Sequence, residues 1–172
     1  MSNLEPIEFE FHPADEEALD EVLALFKETA LKIQAKNVDH WQYWIHPPIE
    51  KIAWVKEGLS RGEYYFIRDL HEKTIGMVRI MEKDEYYWGL RDDQAFYVHS
   101  LVIKEAYNGR GLGALVLQKI AIKARAKDCE FLRLDAVATN VKLCRFYESL
   151  GFVKVGVKKV PLSSNNLYQL PL

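Results

Sequence analysis

FYVHSLVIKEAYNGRGLGA, residues 96–114, passes from a strand pattern to a helix pattern through a run of glycines. Phe96, Val98, Ser100 and Val102 alternate with Tyr97, His99, Leu101 and Ile103, and this β-branched and aromatic content predicts a strand. Both of its faces can be buried if His99 and Ser100 find partners. Residues 104–107 make a short connection to Asn108-Gly109-Arg110-Gly111-Leu112-Gly113-Ala114. Leu115, Leu117, Ile120, Ala121 and Ala124 then recur at helical spacing.

A strand, a glycine-rich turn and a helix start together make an anion site. The first N–H groups of a helix lack intrahelical partners, and the macrodipole adds positive character there. Glycines let the backbone approach a phosphate closely, and Arg110 can add a charge-assisted contact. The expected ligand therefore carries a phosphate or pyrophosphate. The plainer alternative is a helix start with no ligand, but three glycines at alternate positions are costly in a mere connection. A P-loop is excluded, because no Gly-Lys-Ser/Thr follows. A dinucleotide fingerprint is formally satisfied by Gly109, Gly111 and Ala114, with Asp135 at a suitable distance. Against it, polar residues separate the strand from the glycines, and the motif lies deep in the chain instead of opening it.

The 172 residues are most economically one domain, residues 1–172, with enough length for a real core. Hydrophobic residues make up 49% and charged residues 28%, as in ordinary globular proteins. A net charge of -2 supplies no basic field for nucleic acid. Lys119, Lys123, Arg125 and Lys127 read as the solvated face of one helix. Cys129 and Cys144 have neither metal-type spacing nor a disulfide framework, and His40 and His46 have no partners at metal spacing. No metal is expected. MSNLEPIEFEF lacks the basic start and apolar run of a signal peptide, and no apolar run reaches membrane-spanning length. The expectation is a cytoplasmic protein with no membrane or nucleic-acid partner.

Ile7, Phe9 and Phe11 predict a first strand, and Pro13 and Asp15 open a helix that ends near Asn37. His40-Trp41-Gln42-Tyr43-Trp44-Ile45-His46 precedes Pro47-Pro48. Trp41 and Trp44 there either seal the core or wall an acceptor pocket. A helix over 49–59 and strands over 64–68 and 74–81 follow. Residues 82–94 read as a long connection that also touches substrate, through Trp88. Its acids Asp84, Glu85, Asp92 and Asp93 suit a cationic amine, although solvated loop charge explains them more simply. Residues 131–138 form a strand. Asn140 starts a short helix carrying Leu143, Phe146, Tyr147 and Leu150, which Gly151 stops. Residues 152–160 are a strand, 163–166 a turn and 167–170 a last short strand. This order gives an α/β or α+β class in three layers.

Two blocks resemble the GNAT superfamily of acyl-CoA-dependent N-acetyltransferases. YVHSLVIKEAYNGRGLGALVL is similar to its strand, pyrophosphate turn and helix, and LRLDAVATNVKLCRFYESLGF to its later strand, asparagine, tyrosine-bearing helix and Gly-Phe. Their spacing fits as well, so the resemblance spans nearly the whole chain. A dinucleotide fold gives no reason for the second block. The resemblance implies a mixed, mostly antiparallel sheet of about seven strands flanked by about four helices. Asn108 stands where the family carries Gln or Arg. Backbone N–H groups carry that site, so binding is expected to survive the change.

The resemblance further implies acetyl-CoA as acyl donor, its pyrophosphate on Asn108, Gly109, Arg110, Gly111, Leu112, Gly113 and Ala114. The pantetheine arm would lie along Leu101, Val102 and Ile103, with an N–H near Leu101 stabilising the oxyanion. Asn140 matches the asparagine that contacts the CoA arm. Tyr147 matches the tyrosine that protonates or hydrogen-bonds the leaving thiolate. A base must deprotonate the acceptor ammonium, and His99 and Tyr97 share one strand face. A core histidine bonded to a backbone carbonyl is an equal reading of His99. Cys144 is expected to be packing. The acceptor is a small amine or an exposed peptide amine, and a homodimer through the last strands is compatible with the family. Two other functions stay open: an acyl-CoA sensor without turnover, and a nucleotide-binding oxidoreductase.

Overall fold

The structure is a computed structural model that describes residues 6–38 and 40–172. Residues 1–5, on which the signal-peptide expectation partly falls, and Asp39, just before the aromatic segment, lie outside the described residues. Seven strands form one mixed sheet in the order β1-β2-β3-β4-β5-β7-β6. In chain order the elements are β1 (Phe9–Pro13), α1 (Leu19–Ala35), α2 (Ile49–Ser60), β2 (Tyr64–Asp69), β3 (Thr74–Met81) and α3 (Glu85–Trp88). Then come β4 (Ala95–Ile103), α4 (Leu112–Arg125), β5 (Phe131–Val137), α5 (Val141–Ser149), β6 (Val153–Val160) and β7 (Ser163–Pro171). Antiparallel pairing joins β1 to β2, β2 to β3, β5 to β7 and β6 to β7, whereas β4 and β5 run parallel. The α/β class and the strand count agree with the sequence. No helix among the described residues is long and apolar enough to cross a membrane.

The chain forms two compact units, one of residues up to Arg79 with Ser100–Leu112, the other of Ile80–His99 with Gly113–Leu172. In the first, the helical stripe of α1 buries Val22, Leu25, Phe26 and Ala30 with Val55 and Leu59 of α2 on Tyr64, Phe66, Met77 and Val102. Each large apolar side chain so buried contributes about 1.5–3 kcal/mol. Trp44 belongs to this core. Its ring stacks on Phe26 at 3.9 Å between centroids and 9° between planes, and Trp41 meets the same Phe26 edge-on at 5.5 Å. Phe26 on α1 takes both indoles, so Trp44 is sealed into this core while Trp41 packs half-buried against it.

The second unit centres on Trp88, Ala95, Tyr97 and Leu167, with Met81, Tyr87 and Phe131 against them. Residues 82–94 are not a plain loop. Asp84 caps a single helical turn, α3, accepting from the Tyr87 N–H at 3.3 Å. This turn drives Trp88 inward, edge-on to Tyr97 at 5.9 Å, so Trp88 is core and not pocket wall. Residues 163–166 are not a turn either. They open β7, where Asn165 pairs with Val137 and Asn166 with Ala136. Their carboxamides have buried partners, which offsets the poor strand preference of asparagine.

Candidate active site

β4 carries five of the residues that the sequence singles out, Tyr97, His99, Leu101, Val102 and Ile103. Its parallel register with β5 runs from Ala95↔Phe131 to Tyr97↔Arg133. The next residues on the same face, His99 and Asp135, meet through side chains, Nδ1 to Oδ1 at 3.6 Å. On the other ring nitrogen, Nε2 lies 2.7 Å from Asp84 Oδ2, a length typical of a charge-assisted hydrogen bond. His99 is thus held between two carboxylates, one from the cap of α3 and one from β5. The Tyr87 ring lies at 5.5 Å from the imidazole. Asn165 of β7 donates its carboxamide N–H to Asp135 Oδ2 at 2.7 Å. Burial pushes the Asp135 carboxyl above its ordinary range, against the opposing pull of His99 and Asn165.

Asp84 corrects the solvated-loop reading of its segment. Its side chain is only 4% exposed, because capping α3 turns it inward. Asp84, His99 and Asp135 bring nitrogen and oxygen ligand atoms within 4.8 Å of one another. The carboxylates address different nitrogens of one ring, Asp84 by a hydrogen bond and Asp135 by charge at 3.6 Å.

Tyr97 is drawn elsewhere. Its hydroxyl accepts from Arg133 Nη1 at 2.9 Å, and Arg133 in turn makes two bonds of 2.6 Å to Asp93. The phenol therefore anchors a buried guanidinium, a structural task that separates it from its neighbour His99. Asp93, like Asp84, is a structural partner and not free loop charge.

Tyr147 sits on α5, whose start Asn140 caps by accepting from the Leu143 N–H at 3.2 Å. That bond accounts for the Asn140 carbonyl and is worth about 1 kcal/mol. Gly151, at φ +94, follows the helix in the left-handed region, as the sequence predicts. Tyr147 is buried among Phe146, Phe152 and Tyr168. Burial first, then the charge of Asp135 and the neighbouring Cys144, push its phenol upward, so it is held as a proton donor. Cys144 is packing: its thiol points to the Val137 carbonyl and receives the Asn166 carboxamide N–H at 3.6 Å.

In the first unit, Ser100 adopts φ +53 in the middle of β4. A side-chain-bearing residue in the left-handed region is uncommon and costs about 1–3 kcal/mol. Simple alternation therefore does not carry through from His99 to Leu101. Val102, Ile103 and Asn108 come together with Leu25 and Thr29 of α1 around a cavity of about 100 Å³. Lys32 ties α1 to this region, contacting Glu28 at 2.8 Å and Glu105 at 3.5 Å. Gly109 and Gly111 take φ +74 and +71, and nothing lies within 4 Å of where a Cβ would be. Left-handed glycines bracket Arg110 and lead into α4, a backbone pattern of the kind that suits an anion.

The GNAT acetyltransferase family model matches residues 20–152. A Bacillus subtilis (strain 168) protein described as the uncharacterized N-acetyltransferase YesJ is 26% identical over 151 residues, covering 84% of this chain and 81% of that protein. A GNAT-family acetyltransferase from Listeria monocytogenes 4b F2365 superposes with a TM-score of 0.78 at 22% identity, covering 96% of each chain. A chain of the NatC complex, solved with Gag peptide and CoA, gives a TM-score of 0.64 at 18% identity, covering 96% of this chain and 99% of that one. The matched span takes in β4, the glycine turn, β5 and the capped helix of Tyr147, and with it the chain belongs to the GNAT family of acetyltransferases.

Proposed function

We propose that this chain is an acetyl-CoA-dependent N-acetyltransferase that acylates a primary amine of a small molecule or peptide by direct attack. The observation that carries the reading is the contact of His99 with Asp135 just past the β4–β5 register, with the buried phenol of Tyr147 under the influence of the same carboxylate. The acyl donor's pyrophosphate would take the Gly109–Gly111 turn and the start of α4. Its arm would follow Leu101, Val102 and Ile103. The left-handed Ser100 supports this, since it turns the neighbouring peptide units out of regular ladder geometry. Asn140, beyond its capping bond, is assigned to the same arm. The CoA held by the NatC relative supports the choice of donor.

His99 takes a proton from the acceptor ammonium, and the neutral amine attacks the thioester carbonyl. A carbon–nitrogen bond forms, and the Leu101 N–H stabilises the oxyanion of the tetrahedral intermediate. The carbon–sulfur bond then breaks. Tyr147 donates its proton to the departing thiolate, as a phenol kept protonated by burial can do, and the second proton of the attacking nitrogen leaves as the amide forms and restores the phenol. Trp44 and Trp88 are left out of this mechanism, because they are buried in the cores, whereas half-buried Trp41 stays assigned to acceptor binding. The protein is assigned to the cytoplasm.

The test is thermal denaturation with acetyl-CoA, CoA and NADH separately. A ligand that binds only the native state raises the melting temperature, by the equivalent of about 2.7 kcal/mol at a hundred times its dissociation constant. Stabilisation by acetyl-CoA and CoA is expected. A response to NADH alone would sink the assignment. Thiol release with a panel of primary amines then separates an enzyme from a silent acyl-CoA sensor.

A further inference from the structure

Asp84 does two things at once. Its Oδ1 accepts from the Tyr87 N–H and its Oδ2 meets His99 Nε2, so capping α3 also fixes the carboxylate against the imidazole. The Trp88 N–H donates to the Asp84 carbonyl at 2.9 Å, which ties the backbone of the same residue into the turn. An ionised carboxylate can only accept, so at 2.7 Å the proton of this bond belongs to Nε2. In a neutral ring the lone pair is then on Nδ1, the nitrogen turned toward Asp135.

We propose that Asp84 is a positioning residue that fixes His99 as the Nε2–H tautomer, making Nδ1 the atom that takes the acceptor's proton. The inference deepens the proposed acetyltransfer and rests on that reading. The step balances simply. An ammonium N–H bond breaks, its proton joins the Nδ1 lone pair, and the resulting imidazolium stands between the Asp84 and Asp135 carboxylates. Among the groups that face this ring or its carboxylates are Asp84 and Tyr87 from α3, Asp135 from β5, Asn165 from β7, and Tyr147 from α5 through its interaction with Asp135. Asn165 holds Asp135 Oδ2, which leaves Oδ1 directed at Nδ1.

The decisive measurement is the nitrogen NMR spectrum of the histidines in the whole protein at a pH where His99 is neutral, with its signals assigned by their loss in His99→Gln. The protonated and lone-pair nitrogens of an imidazole give well-separated shifts. The wild-type protein should show Nε2–H. Asp84→Asn should reverse this: the cap still needs the carboxamide oxygen, so the NH₂ group faces Nε2 and the proton moves to Nδ1. Asn is a good cap, so α3 should persist. Wild-type protein with Nδ1–H, or an Asp84→Asn spectrum unchanged from wild type, would overturn the proposal. These spectra need no acyl donor or acceptor. Failure of acetyl-CoA to stabilise the protein would therefore count against the proposed function, separately from the tautomer.

Discussion

Arg133 closes on Asp93 with two parallel hydrogen bonds of 2.6 Å, Nη1 to Oδ1 and Nη2 to Oδ2. The same guanidinium donates to the Tyr97 hydroxyl and, through Nε, to Gln169 Oε1 at 3.2 Å. Its side chain is 1% exposed, so its charge depends on this carboxylate. Asp93→Asn should destabilise the protein by about 3 kcal/mol at neutral pH, because a buried cation loses its counter-charge. The Arg133 hydrogen bonds hold the Asp93 carboxyl below its ordinary range. A depressed pKa gives stability that is present above the unfolded value and lost as pH falls through the folded one. Denaturant unfolding at pH 7 and again below pH ~4 should show the gap between wild type and variant closing. A constant gap would mean that Asp93 acts by shape and not by charge.

Asp135 has the opposite sign. Burial raises its pKa above the unfolded value, so the native state binds more protons than the unfolded one between the two. Stability is then lost as pH rises through that window. Asp135→Asn keeps an acceptor for Asn165 and removes the buried charge. Its melting temperature should exceed that of wild type at pH 7–8, and the advantage should fade as pH falls toward the ordinary carboxylate range. A variant less stable than wild type at pH 8 would show that the pairing with His99 outweighs desolvation.

Tyr147→Phe removes one hydroxyl and leaves the ring among Phe146, Phe152 and Tyr168. Packing should be nearly unchanged. If the phenol serves the leaving thiolate, thiol release from acetyl-CoA should fall about 100-fold, the lower end of the range for a positioned acid. Thermal stabilisation by CoA should remain. An unchanged rate would reduce Tyr147 to a core residue.

The parts of this protein that the sequence makes legible are those fixed by neighbours in the chain. β3 falls on its expected bounds because its apolar run has breakers on both sides. The glycine turn is visible because left-handed backbone selects its residues locally. Asn140 and Gly151 mark α5 by the same local logic. The site is harder to read because its partners are distant: Asp84 lies 15 residues from His99, and Asn165 lies 30 from Asp135. A four-residue helix carries no periodicity, so nothing but the cap pattern at Asp84 could reveal α3. Asn165-Asn166 imitates a turn because strand preference says nothing of a buried carboxylate waiting opposite. Trp41 and Trp44 are three apart, a spacing that lets both reach Phe26 on α1. Density of aromatics alone suggests a pocket equally well.

Gly76 on β3 tests the close approach that sets the course of β4 past Ser100. It is buried, and a Cβ there would fall well inside contact with the carbonyl oxygen of Val102. The obstacle is backbone, which cannot turn aside as a flexible side chain can. The Lys104 N–H donates to the Ile75 carbonyl at 2.9 Å, tying the same stretch down two residues beyond Val102. Gly76→Ala should therefore cost about 3 kcal/mol, at the upper end for overpacking, and move residues 101–103. Gly109→Ala is the natural control. Open space surrounds it, so its cost is the left-handed φ alone, about 1 kcal/mol. Thermal unfolding of both variants separates the two causes. Gly76→Ala should melt well below Gly109→Ala, and equal melting temperatures would show that β3 and the end of β4 can part without penalty. If residues 101–103 do carry the acyl donor's arm, Gly76→Ala should also weaken stabilisation by CoA.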